Sequence, residues 1–217
     1  DALLLIAHVS MKLKANPEGG TLNLAVLPSL GTMWLMPRLQ SFISQNPDIK
    51  INLSTQVSQF DFQKENVDGA IHYNSEPWPN TCSNFLMKEV LIPVCTPNFA
   101  KKYNIKSPES VLKAPMIHLS IRPDGWEKWF TLTDTPYVNL TGMMIDQFQT
   151  ALKAACAGIG IALIPEVIAE GEVKAGNIIY PFKDVIETNE GYSLTWPSDS
   201  NNLIVLERFH DWLLSEV

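Results

Sequence analysis

The run Leu22–Asn52, LNLAVLPSLGTMWLMPRLQSFISQNPDIKIN, leaves this chain little choice of architecture. It opens on an apolar strand, Leu22 to Leu27, closed by Pro28. Ser29, Leu30, Gly31 and Thr32 follow as a small, mostly polar cluster. Trp34, Leu35, Leu39, Phe42 and Ile43 then recur at helical spacing, Asn46-Pro47 stops the helix, and a second strand starts at Ile49. Strand, helix and strand over roughly 30 residues is the crossover unit that joins neighbouring parallel strands. In an open α/β sheet the mouth of such a helix lies at the carboxyl edge of the strand, where ligands collect. A helix N-terminus also offers unpaired N–H groups and about half an elementary positive charge. The Ser29–Thr32 cluster is therefore both a structural joint and a candidate binding site.

The same alternation continues. Strands are expected at Asp68–Tyr73, Phe85–Cys95, Met116–Ser120, Val138–Met144, Ile159–Ile164, Ile178–Phe182 and Tyr192–Trp196. Thr96-Pro97 and Ser107-Pro108 place a hydroxyl before a proline, a helix-start signal. Asp146 with Gln149 three residues on has the form of a capping box, opening a helix from Gln147 to Ala157 that buries Leu152, Ala155 and Cys156. A last amphipathic helix spans Leu203–Leu214, and a short apolar helix is expected at Ala2–Leu13 ahead of a Pro/Gly linker. The fold class is α/β. Because the strand–helix pattern restarts at Met116, two similar Rossmann-like subdomains are expected. Phe85–Cys95 and Tyr192–Trp196 serve as the two crossover strands, with a ligand cleft between the lobes. The expected division is 1–19 as linker, 20–93 with 196–217 as the first subdomain, and 94–195 as the second.

Composition excludes several functions. With 16 basic against 23 acidic residues the net charge is −7, and the basic residues are scattered, so this chain by itself is a poor match for nucleic acid. No apolar run approaches the roughly 18 residues of a membrane span. Cys82, Cys95 and Cys156 form no C-x-x-C pair and are expected as buried, reduced thiols, which suits a cytoplasmic setting. There is no G-x-S-x-G elbow and no P-loop, and His8, His72, His118 and His210 lie far apart without zinc-binding spacing. No metal, cofactor or catalytic pair is expected, and the chain reads as a binding module, not an enzyme.

Several ordered segments then carry a family resemblance: LPSLGTMWLMPRLQSFISQNPDIKINL, VDGAIHYNSEPWP, LIPVCTPNFA and ALKAACAGIGIALIP. Together they resemble the effector-binding domain of LysR-type transcriptional regulators, most closely the branch of the glycine-cleavage activator and the β-lactamase regulator. The resemblance runs from about Gly20 to Val217. It implies a two-lobed fold of the periplasmic-binding-protein type 2 architecture that binds a small-molecule effector in a bacterial, cytoplasmic regulator. It also implies a homodimer, or a tetramer when full-length. DNA would be bound only through an N-terminal winged helix-turn-helix that this chain does not include, Ala2–Leu13 being the end of the linker helix. No membrane is involved.

By the same resemblance the ligand-binding residues are Ser29, Leu30, Gly31 and Thr32 at the first helix mouth, Gln56 and Ser58 after the second strand, and Tyr73 at the end of the third. From their positions in the sequence, the other lobe would add Arg122, either as partner for an anionic group or as half of a surface salt bridge, and Asp146, Gln147 and Phe148 at its helix mouth. Tyr192 lies near the return strand. Arg122 with Asp146 would suit an amino-acid-like zwitterion. Two other readings share the architecture: a periplasmic solute-binding protein, and a small-metabolite enzyme such as a deaminase or dehydratase. An upstream helix-turn-helix in the gene separates the first of these from the regulator, and turnover of a bound metabolite separates the second.

Overall fold

The structure, a computed structural model, describes residues 20–74, 76, 78–137, 142–200 and 202–217. The helix expected at Ala2–Leu13 lies outside them. In chain order the first elements are β1 (Thr21–Val26), α1 (Pro28–Leu30), a π-helical turn (Gly31–Leu35), α2 (Met36–Gln45), β2 (Lys50–Thr55), α3 (Phe62–Glu65), β3 (Gly69–Asn74) and β4 (Thr81–Val94). There follow α4 (Pro97–Lys102), α5 (Pro108–Val111), β5 (Met116–Leu119), α6 (Gly125–Leu132), β6 (Gly142–Ile145) and α7 (Phe148–Cys156). The last are β7 (Ile161–Pro165), α8 (Glu166–Lys174), β8 (Ile186–Pro197) and α9 (Leu203–Ser215).

The chain divides into two compact units. One contains the residues up to Gly31, Leu35–Met87 and Glu190–Val217; the other contains Thr32–Trp34 and Lys88–Asn189. Apart from Thr32–Trp34, the chain passes between them after Met87 and after Asn189. The sequence reading placed those passages after residues 93 and 195.

In the first unit the strand order is β2-β1-β3-β8. β1 runs parallel to β2 and β3, and β8 closes the row antiparallel to β3. α9 stacks on α2 through Phe42, Phe209 and Trp212, with ring centroids 5.2–5.4 Å apart. The indole N–H of Trp212 donates to Ser41 Oγ at 2.8 Å. A smaller cluster joins Phe62 of α3 to Ala25, Val67 and Ala70, with Phe60 and Trp78 packed at its edge.

The helix that the sequence predicts from the Trp34–Ile43 stripe is present, with a π turn set into it. Pro37 supplies the reason. Inside a helix a proline removes one N–H and its ring crowds the carbonyl four residues back. A wider turn just upstream relieves that crowding, and the Met36 N–H accordingly reaches back five residues to Gly31 O. Gly31 is needed here for space: a Cβ built on it would lie 2.7 Å from Val26 Cγ1, and Val26 is buried in β1. Gly31→Ala is therefore expected to lose about 1–3 kcal/mol from overpacking, more than the roughly 1 kcal/mol that alanine gains in a helix. Urea denaturation checks this, and Val26→Ala in the same chain should restore part of the loss.

The second unit repeats the first. Its order is β4-β7-β5-β6, with β5 parallel to β6 and β7 and β4 antiparallel to β7. Each unit thus has three parallel strands closed by one antiparallel strand that comes from a crossing segment. One side of this sheet carries Ala151, Leu152 and Ala155 of α7. A second cluster gathers Trp126, Trp129 and Phe130 of α6, and the Trp126 indole donates to Ile117 O at 2.9 Å.

Several local expectations are corrected. The N-cap of α7 is Gln147, in extended conformation and without a side-chain capping bond, so Asp146 is not the cap and the expected box with Gln149 does not form there. Phe148, buried against the unit's core, decides where the helix starts. The strand expected at Ile178–Phe182 is only a bridge between Ile179 and Cys95, because Pro181 cannot donate to a ladder. β8 starts at Ile186, well before Tyr192; its polar opening, Glu187 to Glu190, hid it in the sequence. Of the strand expected at Val138–Met144, residues 138–141 lie outside those described. Cys82 is exposed; Cys95 is buried and Cys156 half-buried. Burial pushes the Cys95 thiol up to about 11, which makes it inert.

Candidate functional site

Strand register in the first unit brings the expected residues to one edge. Val26 pairs with Thr55 of β2 and Ile71 of β3, so the carboxyl ends of the three strands are level. Beyond them lie Ser29, Gln56 and Tyr73. Tyr73 stands opposite Tyr192, which adds the fourth strand to the same edge. The two rings meet edge to face, 5.9 Å between centroids, and the Tyr73 hydroxyl donates to Glu190 Oε2 at 2.7 Å. Tyr192 is buried and Tyr73 half-buried.

The first helix begins at this edge without a capping side chain. Leu27 is the N-cap and Pro28 occupies the first turn, so Ser29 lies inside that turn and not at the cap. Ser29, Leu30 and Gly31 are buried, and Gly31 N donates to Leu27 O at 2.8 Å. Thr32 is exposed and is counted with the second unit. Gln56 is tied by its backbone N–H to Val26 O at 3.2 Å and is half-buried, while Ser58 is exposed in a bend beyond it.

The second unit gathers its expected residues at the equivalent edge. Ser120 N donates to Ile145 O at 2.9 Å, which holds the ends of β5 and β6 together, with Arg122 on one side and Asp146 and Gln147 on the other. Asp146 and Gln147 are exposed. The Phe148 ring is buried, with Arg122 Cζ 6.0 Å from its centroid, a cation–π distance. Arg122 does not wait for a ligand anion. Its Nε and Nη2 both donate to Glu89 Oε1, at 3.2 and 2.9 Å, and its Nη1 donates to Ile121 O at 3.0 Å. Glu89 is 1 % exposed, and its carbonyl also accepts from the Thr188 hydroxyl at 3.2 Å.

Sequence reasoning missed Glu89, Glu190 and the group behind Tyr73. A signal for Glu89 existed: an acid inside the run LMKEVLIPV is costly to bury unless a cation is placed against it. His72 is buried one residue before Tyr73, with Nε2 2.8 Å from Thr195 Oγ1, and Trp78 stacks on its ring at 4.2 Å. An open cavity of about 510 Å³ in the second unit, lined by Thr96, Phe99, Cys156 and Asn177 among others, contains none of the expected residues. Among the described residues no group of His, Cys, Asp and Glu could hold a metal ion, and no helix is long and apolar enough to cross a membrane.

Comparison with known proteins identifies what this chain is similar to. The family model described as "LysR substrate binding domain" matches residues 15–217. The glycine cleavage system transcriptional activator of Escherichia coli (strain K12) is 30% identical over 213 residues, covering 97% of this chain and 70% of that protein. The HTH-type transcriptional activator AmpR of Citrobacter koseri is 28% identical over 201 residues, 91% of this chain and 69% of that protein. Among solved structures, the effector domain of the regulator AmpR of Pseudomonas aeruginosa superposes with a TM-score of 0.78. It is 27% identical and covers 90% of this chain and 94% of that one.

Proposed function

Because this chain belongs to the LysR substrate-binding domain family, we propose that it senses a small molecule through the carboxyl edge of its first unit. It is the effector-binding domain of a LysR-type transcriptional regulator, with the periplasmic-binding-protein type 2 fold. The proposed contacts of that edge are Ser29, Leu30, Gly31, Gln56, Ser58, Tyr73 and Tyr192. The observation that supports the choice is the register that levels β1, β2 and β3 and sets Tyr73 against Tyr192. Thr32, Arg122, Asp146, Gln147 and Phe148 are proposed as ligand contacts of the second unit. Any ligand anion that reaches Arg122 has to compete with the Glu89 carboxylate.

The relatives are transcriptional regulators, which favours binding over catalysis. We read the full protein as a cytoplasmic homodimer, or a tetramer, that meets DNA through a separate helix-turn-helix. A ligand regulates such a protein only by its different affinity for the two states, typically about 1–3 kcal/mol of coupling.

A thermal-shift screen of amino acids, purines and muropeptide fragments tests the site. A ligand that stabilises the chain should lose about tenfold in affinity, about 1.4 kcal/mol, in Ser29→Ala and in Tyr73→Phe. Unchanged affinity in both removes this edge as the site. Native mass spectrometry of the same sample reports the assembly state, and a monomer at all concentrations counts against the dimer.

A further inference from the structure

Behind Tyr73 a chain of polar side chains runs from the buried side of the sheet to the surface. His72 Nε2 is 2.8 Å from Thr195 Oγ1, and Thr195 Oγ1 is 2.9 Å from Ser83 Oγ. His72 Nδ1 lies 3.2 Å from the carbonyl oxygen of Tyr73. A carbonyl only accepts, so Nδ1 carries the proton. In the neutral ring Nε2 must then accept from the Thr195 hydroxyl, which leaves the Thr195 oxygen to accept from Ser83. Every direction in the chain is fixed by that carbonyl.

Protonation of His72 reverses the chain. Nε2–H now donates to Thr195, Thr195 donates to Ser83, and the exposed Ser83 turns its proton outward. No bond in the chain is lost, so the rearrangement has a defined end state. Burial opposes the charged ring and holds it below the ordinary histidine value of 6.5. A positive charge next to the Tyr73 carbonyl changes the peptide that carries the tyrosine, and Thr195 lies on β8, the strand that carries Tyr192.

We propose that His72, with Thr195 and Ser83, is the positioning residue for the Tyr73–Tyr192 pair, and that its protonation resets that pair and so makes this edge responsive to pH. The proposal rests on the reading of this edge as the effector site only for its consequence, since the movement of the tyrosines stands without a ligand. Among the described residues, those shown in contact with His72 are uncharged: Trp78 stacked on the ring, Ser193 opposite it in the register, Thr195 and, through it, Ser83. An ionisable partner of the pair itself is Glu190, which accepts from the Tyr73 hydroxyl.

The test uses the full chain without ligand, isotope-labelled at the histidine nitrogens and carrying fluorotyrosine. Tyr73→Phe and Tyr192→Phe assign the two fluorine signals. Both signals should shift on acidification with one shared midpoint below 6.5, the same midpoint as the His72 ring nitrogens, and Glu190→Gln should leave that midpoint in place. In His72→Gln the shared transition should vanish. Tryptophan emission should also fall as histidinium forms under Trp78, and this quench should disappear in the same variant. Tyrosine signals that do not follow the His72 midpoint overturn the proposal. A neutral His72 carrying its proton on Nε2, read from the unmodified chain, overturns it independently of how any variant folds. If the tyrosines follow His72 but no compound from the screen binds at this edge, the relay stands and the effector-site reading fails.

Discussion

Arg122→Ala should cost the chain about 3–5 kcal/mol, the range for removing one partner of a buried ion pair. The expectation follows from asymmetry of burial. Glu89 is 1 % exposed, while the Arg122 side chain keeps 28 % of its surface. Removing the guanidinium deletes two donors to Glu89 Oε1 and leaves a carboxylate in a place that water does not reach. The buried carboxylate then keeps its desolvation cost with fewer donors to offset it, which lowers stability. Arg122→Lys should recover only part, because an ammonium cannot present both donors to that oxygen. Removing both charges together, Glu89→Gln with Arg122→Met, should lose far less than Arg122→Ala alone, since the isolated charge is what is expensive. Urea unfolding of the variants and the double variant gives the comparison. Should Arg122→Ala unfold at the same urea concentration as the unaltered chain, the pair contributes nothing to the fold, and its arginine is reserved for a ligand.

That pair also shows where sequence reasoning stops. Arg122 was legible as a charged residue just past a strand end, and its position at the carboxyl edge is where the structure has it. Its partner was not legible, because Glu89 comes from a strand that the sequence reading treated only as a crossing between lobes. Periodicity reports which residues are buried along one element; it says nothing about which element will stand beside it. The same limit explains His72. Its neighbour Tyr73 was legible as a strand-end residue, yet Thr195 and Ser83 come from distant parts of the chain.

Within elements the limits were backbone chemistry. Trp34, Leu35, Leu39 and Phe42 predict the first helix correctly, because burial of that stripe sets its face. The π turn inside it depends on what one proline does to the carbonyl behind it, which an apolar stripe does not encode. Asp146 has the composition of a cap, but with Phe148 buried α7 starts one residue later, at the Gln147 cap. The opening of β8, Glu187 to Glu190, is polar, with Glu187, Asn189 and Glu190 exposed, so no apolar alternation announces it. What was readable is what the core dictates, and what was missed is pairing between remote groups and local exceptions to a period.

Trp129→Ala carries the other large effect expected in this chain, a loss of about 3–5 kcal/mol for emptying an aromatic core site. Trp129 is 0 % exposed and is in ring contact with Trp126, Phe130 and Phe182, with centroids 5.2–5.7 Å apart. Its indole N–H also donates to Asp184 O at 2.9 Å, which ties the segment after α8 to α6. Alanine removes the packing and the donor together, and the surrounding rings are too rigid to close the space. Trp129→Phe separates the contributions. It keeps much of the apolar volume and deletes the donor, so its smaller loss includes about 1–3 kcal/mol for a partner left without its hydrogen bond. The predicted order of urea midpoints is the unaltered chain, then Trp129→Phe, then Trp129→Ala. Near-ultraviolet circular dichroism should lose the signal of the Trp126–Trp129 pair in both variants. Equal midpoints for the phenylalanine and alanine variants would mean that the bond to Asp184 O, and not the ring packing, is what holds this side of the second unit together.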